Sequence, residues 1–264
     1  MKLTSIIKAF LLASLCLITI GVYAVETENT HTNKRIMFIG NSFSFYNNGV
    51  HNHLGGLVRS AGDWSRAYRF RLNTLSGGRL QEHTAQLKNI LSAKNANWDT
   101  VVLQPHSNEA ISKNRAKAFE LALSEQVNIV RNAGAEPLLF MTWAYKGDNE
   151  MHKQLLKAYT EAGAKYDLRL IPVGNAFQKA QQHLPNIELY VADVLSVDAN
   201  GHLTYRTDIK HPSPAGSYLA ACVFYAALYK KSPEDLLFVG GVGAETAKQL
   251  QRIAWQTVEQ FNAD

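Results

Sequence analysis

Five short apolar runs, each ended by a turn signal and followed by a stretch of helical periodicity, constrain this chain more than any other feature. They are Arg35–Gly40, Tyr68–Thr74, Thr100–Leu103, Pro137–Trp143 and Arg169–Val173. Thr100-Val101-Val102-Leu103 is the clearest, because β-branched residues fit a pleated, buried surface. Helical stretches at 47–61, 80–93, 113–133 and 148–165 separate them, and Gly134 suits a helix C-terminus. A shorter helix is expected at 175–183. Ser213 then caps a helix with Pro214 in its first position, and a final amphipathic helix covers about 244–261. Strands alternating with helices predict parallel βαβ units, hence a three-layer α/β/α sandwich around a mainly parallel five-stranded sheet. Residues 184–210 read as an irregular loop containing the turn Asp198-Ala199-Asn200-Gly201. With no repeat and no Pro/Gly-rich linker, residues 35–264 are expected to form one domain.

The first 24 residues stand apart. Lys2 and Lys8 precede an uncharged apolar run, and Val22-Tyr23-Ala24 offers a cleavage site. This predicts a cleavable secretory signal peptide and a secreted or periplasmic protein, with an uncleaved anchor as the alternative. Leu15 before Cys16 does not fit a lipoprotein signal. Residues 25–34 are polar and read as a flexible leader, and no later run is long enough to span a membrane. Loss of Lys2 and Lys8 leaves 25 basic against 22 acidic residues, a net +3. That mild charge, without a basic cluster interleaved with aromatics, excludes nucleic acid as the expected partner. Cys16 leaves with the signal, so Cys222 is alone and reads as a small buried hydrophobe.

Chemistry gathers at four segments. In Ile36-Met37-Phe38-Ile39-Gly40-Asn41-Ser42, an apolar strand stops at a turn that presents a hydroxyl. Ligands bind outside the carboxyl ends of strands in open α/β sheets. A serine needs a base to become a nucleophile, and that base, most often a histidine, works better oriented by a carboxylate. Asp208-Ile209-Lys210-His211 supplies both, with Asp208 expected to orient His211. Developing negative charge needs placed donors. Candidates are the N–H groups of Ser42, Gly77 and Gly78 and the side chains of Gln104, His106 and Asn108.

These segments resemble the blocks of the SGNH (GDSL-like) hydrolases, in order and spacing, over nearly all of the chain after the signal. Gly40-Asn41-Ser42-Phe43-Ser44 is similar to the family's Gly-Asp-Ser-Leu-Ser block, Ser76-Gly77-Gly78 to its glycine block, and Asp208–His211 to its Asp-x-x-His block. The resemblance implies a flavodoxin-like fold and a serine esterase with Ser42 as nucleophile, His211 as base and Asp208 as acid. The third block departs: Gln104 stands where the family has glycine, His106 where it has the oxyanion asparagine, and Asn108 falls two residues late.

The expected substrate is a small-molecule or glycan ester with a short acyl or acetyl group. A lipase or thioesterase with the same residues, and a glycan-binding module without activity, are the alternatives. Trp143, Tyr145 and His202 are candidate substrate contacts. No cofactor is implied: there is no Gly-x-x-x-x-Gly-Lys loop, and no histidine, cysteine and carboxylate spacing fits a metal. No obligate protein partner is inferred.

Overall fold

The computed structural model describes residues 32–263. The expected signal peptide and most of the expected leader lie outside the described residues. Five parallel strands, β1 (Arg35–Gly40), β2 (Arg69–Thr74), β3 (Thr100–Leu103), β4 (Glu136–Phe140) and β5 (Arg169–Ile171), form one sheet in the order β2-β1-β3-β4-β5. The three-layer α/β/α architecture expected from the sequence is the one observed.

Alternation along the strands divides the core in two. Ile36, Phe38, Val102, Leu138 and Phe140 face helices α2 (Val50–Ser60), α6 (Val173–His183), α7 (Pro214–Tyr229) and α8 (Ala244–Ala263). Met37, Ile39, Val101, Leu103 and Leu139 face α3 (Thr84–Ser92), α4 (Ala116–Asn132) and α5 (Asn149–Tyr166). Helix α7 is buried on nearly every side, which explains why its sequence is apolar all round. Ser213 Oγ accepts the Gly216 N–H at 3.2 Å, so the predicted cap is formed. Cys222 is fully buried in this helix, and burial pushes its thiol pKa up.

Two expectations are corrected. The fourth strand ends at Phe140 rather than Trp143, because the chain turns there and carries Trp143 into the core. The 184–210 segment is not irregular. Strand β6 (Tyr190–Val191) pairs antiparallel with β9 (His211–Pro212), and β7 (Val194–Val197) forms a hairpin with β8 (Leu203–Tyr205). Among the described residues no helix is long and apolar enough to cross a membrane.

Phe224 of α7 meets Phe38 and Phe140 edge-on, at 5.2 and 5.0 Å between ring centroids. Phe224→Ala should therefore cost about 3–5 kcal/mol in urea unfolding at an unchanged m value. A loss under about 1 kcal/mol would contradict this packing.

Candidate active site

The carboxyl end of β1 feeds a four-residue helix, α1 (Ser42–Phe45). Ser42 opens it and is 6% exposed. Ser42 Oγ lies 2.8 Å from His211 Nε2, and His211 Nδ1 lies 2.6 Å from both carboxylate oxygens of Asp193. The imidazole is held from two sides. Tyr46 stacks on it at 4.4 Å, and Phe43 meets it edge-on at 6.0 Å. A hydroxyl, imidazole and carboxylate in this order can pass the hydroxyl proton to the ring, while the carboxylate fixes the tautomer and stabilises the charged ring.

The carboxylate beside His211 is thus Asp193, not the expected Asp208. Asp208 accepts from Arg206 Nε at 2.8 Å and pairs with Lys210. These two cations hold its pKa far below the ordinary carboxylate range. The reason is local: Thr207 and Asp208 form a bend ahead of β9, and there Asp208 is held by Arg206 and Lys210 rather than by the His211 ring. Asp193 arrives from β6, whose Val191 is paired with His211. The signal for it was present in the sequence as two β-rich runs, Tyr190–Val197 and Leu203–Tyr205, flanking a recognised turn.

Gln104 is a strut rather than a free oxyanion donor. It is 1% exposed, and every hydrogen-bonding position of its amide is used. Oε1 accepts the Asn41 N–H and the Ser44 hydroxyl, both at 2.9 Å. Nε2 donates to Asn41 Oδ1 at 3.0 Å and to Pro105 O at 2.5 Å. Asn41 Nδ2 in turn donates to Gly78 O at 2.9 Å, and Asn41 Oδ1 accepts the Phe43 N–H at 3.2 Å. Gly40 makes room for this amide, since a Cβ there would sit 2.3 Å from Gln104 Oε1.

The remaining candidates separate by their contacts. The Gly78 N–H donates to Leu75 O at 2.9 Å, so it is spent within its turn. Gly77 is exposed at the tip of that turn with φ of +64°, a conformation glycine adopts without strain. Among the described residues, neither the Gly77 nor the Ser42 N–H has a protein acceptor. Asn108 Oδ1 accepts from Arg115 at 3.4 Å, which orients the amide, and lies 3.2 Å from His106 Nδ1. The Asn108 contact favours the tautomer with the proton on His106 Nδ1, which leaves Nε2 as an acceptor; Ser107 Oγ also lies 3.4 Å from Nδ1. Burial, followed by the positive charges of Arg115, Lys210 and Arg79, lowers the His106 pKa, with the Asn108 bond opposing the shift. Asn108 Oδ1 thus holds both His106 and Arg115.

Trp143 is not a substrate wall. It is fully buried between Phe43 at 4.3 Å and Phe177 at 4.1 Å, both parallel to it, and its Nε1 donates to Lys210 O at 2.9 Å. It thereby ties the Ser42 helix to the segment carrying His211. Tyr145 is partly exposed. Its hydroxyl is 3.1 Å from Ser107 Oγ, Lys210 Nζ lies 5.2 Å from its ring, and it borders a cavity of about 410 Å³ with Asn108, Ser112, Asp148 and Gln154. His202 is not near these groups; it pairs with Asp198 at the exposed hairpin tip. Among the described residues no group of histidine, cysteine and carboxylate side chains could hold a metal. His83 is fully buried beneath Gly78.

Glu109 belongs to none of the four sequence segments that carry the candidate chemistry. Its carboxyl is 2% exposed and accepts the Leu80 N–H at 3.1 Å, bridging the loops that carry Gly78 and His106. Burial pushes its pKa from 4.5 to about 7.

No family model and no curated protein matches the sequence. Solved structures do match. A DUF4886 family protein from Bacteroides uniformis aligns over 85% of this chain and 94% of its own, with a TM-score of 0.60 and 18% identity. A proposed SGNH hydrolase from Slackia heliotrinireducens aligns over 74% and 98%, with a TM-score of 0.56 and 26% identity. The acetyl xylan esterase AlAXEase aligns over 73% and 98%, with a TM-score of 0.54 and 14% identity. The chain has the fold of the SGNH hydrolases.

Two predictions follow from this geometry. Gln104→Leu leaves the buried Asn41 N–H and Ser44 hydroxyl without their partner, so it should cost roughly 2 kcal/mol or more in urea unfolding; wild-type stability would contradict the strut. For Glu109, the folded state holds the proton more tightly than the unfolded chain. Its stabilising contribution is full below about pH 4.5 and is lost as pH rises through about 7, by roughly 3 kcal/mol at most. The stability gap between Glu109→Gln and wild type should therefore shift in the variant's favour from pH 5 to pH 8. A gap that stays constant with pH would refute this.

Proposed function

We propose that the protein is an exported serine esterase that cleaves short-acyl or acetyl esters, including those on carbohydrates. The hydrogen-bonded chain Ser42–His211–Asp193 is the observation that carries this reading. Ser42 Oγ attacks the ester carbonyl as His211 Nε2 takes its proton. Asp193 keeps the proton on Nδ1 and stabilises the imidazolium. The Ser42 and Gly77 N–H groups face the oxyanion. His211 then protonates the leaving alcohol, and water, deprotonated by the same ring, releases the acyl group from Ser42. His106 Nε2 accepts a substrate hydroxyl rather than donating to the oxyanion.

Three observations support the choice of substrate and location. The cavity beside Tyr145 is lined mainly by polar side chains, which suits a hydroxylated alcohol group. One structural neighbour is an acetyl xylan esterase. Export rests on the sequence of residues 1–24.

The test is hydrolysis of 4-nitrophenyl esters of rising chain length and of acetylated xylo-oligosaccharides. Ser42→Ala should abolish turnover, and Asp193→Asn should lower kcat by about 10³–10⁴-fold. Asp208→Asn should stay within about tenfold of wild type, because its partners are Arg206 and Lys210. Loss of activity in Asp208→Asn but not Asp193→Asn would reverse the assignment. A profile peaking at long acyl chains would replace the acetyl preference with a lipase or thioesterase. Equal inertness of wild type and Ser42→Ala would leave a binding module. His106→Ala should raise KM more than it lowers kcat, and a 10²-fold fall in kcat alone would restore it as an oxyanion donor.

A further inference from the structure

At the end of the sheet remote from Ser42, the starts of β1 and β2 border a cavity of about 420 Å³. Lys34, Arg35, Arg66 and Arg69 line it, with Thr32 and Asn97. Arg35 stands opposite Arg69 in the strand register, and like charges facing each other across adjacent strands repel. Asp99 answers only one of them. Its Oδ1 accepts Arg35 Nε at 3.0 Å, while Oδ2 is occupied by the Thr32 hydroxyl at 2.8 Å and the Lys34 and Arg35 N–H groups at 3.0 and 3.1 Å.

The other three cations have no carboxylate partner among the described residues. Arg69 lies 4.1 Å from the Trp98 ring and donates to Asn97 Oδ1 at 3.1 Å, which holds its guanidinium in place. Its Nε is buried with no hydrogen-bond partner. Thus a concavity coincides with three cations that lack a carboxylate partner among the described residues, one of which, Arg69, is held in place by Trp98 and Asn97.

We infer that this cavity binds an oxyanion, a phosphate, sulfate or carboxylate group carried on a soluble metabolite or on a lipid headgroup. Guanidinium groups match such anions by paired N–H donors, and lysine adds a point charge. The site is independent of Ser42 and stands whether or not the esterase reading does.

The test uses purified protein carrying residues 25–264, titrated calorimetrically with inorganic phosphate and sulfate at constant ionic strength, with chloride as reference. One saturable site is expected. The Lys34→Gln/Arg66→Gln double variant should weaken it at least tenfold, and Arg69→Lys, which keeps the charge and loses the fork, should weaken it as well. Circular dichroism checks the fold, and Arg66→Gln alone replaces the double variant if that does not fold. Glycerol phosphate, compared with vesicles of phosphatidylglycerol and of phosphatidylcholine, tells a soluble anion from a headgroup. Phosphate heats equal to chloride would overturn the inference, as would wild-type affinity in the folded variants. So would binding that emerges only in Glu26→Gln/Glu28→Gln, which would mean that the chain's own carboxylates fill the cavity.

Discussion

The Gln104 amide, buried and bonded at every position, is the interaction on which the arrangement around Ser42 depends. It grips the turn that presents Ser42 at both backbone and side chain. Through Asn41 it reaches Gly78, so the strand-one turn and the glycine loop are set by one network. In a low-dielectric interior such a network specifies geometry, because each broken bond leaves a buried group unpaired. Asn41 and Gln104 therefore act as one hydrogen-bonded pair. The amide of Asn41 can donate to Gly78 O, which an ionised aspartate could not.

A second set of contacts fixes the imidazole. Phe43 leaves α1 and stacks on Trp143, which stacks on Phe177 of α6 and bonds the backbone just before His211. Tyr46 covers the ring from the other side. Apolar packing thus sets the Ser42–His211 distance, and Asp193 adds the charge. This is why Trp143, attractive as a substrate contact from its place after a strand, is instead a pillar behind the site.

Much of the fold was legible in the sequence, because strands buried on both faces declare themselves as apolar runs and the helices between them are amphipathic. The positions of Ser42 and His211 were legible for a related reason: each follows or begins a rigid element with clear punctuation. Asp193 was not. It lies between β6, whose pairing depends on β9 later in the chain, and β7 of the exposed hairpin. Asp208, by contrast, satisfied a sequence spacing, but it lies in a bend where Arg206 and Lys210 take its carboxylate. The role of Gln104 was hidden because a side chain's partners across 63 residues cannot be read from local pattern.

Covalent labelling tests the central claim, that Ser42 is a nucleophile activated by His211 with Asp193. Treatment with a fluorophosphonate followed by peptide mass spectrometry should give a single adduct on Ser42, formed far more slowly in Asp193→Asn and at a near wild-type rate in Asp208→Asn. No adduct at Ser42, or labelling indifferent to Asp193, would contradict the account.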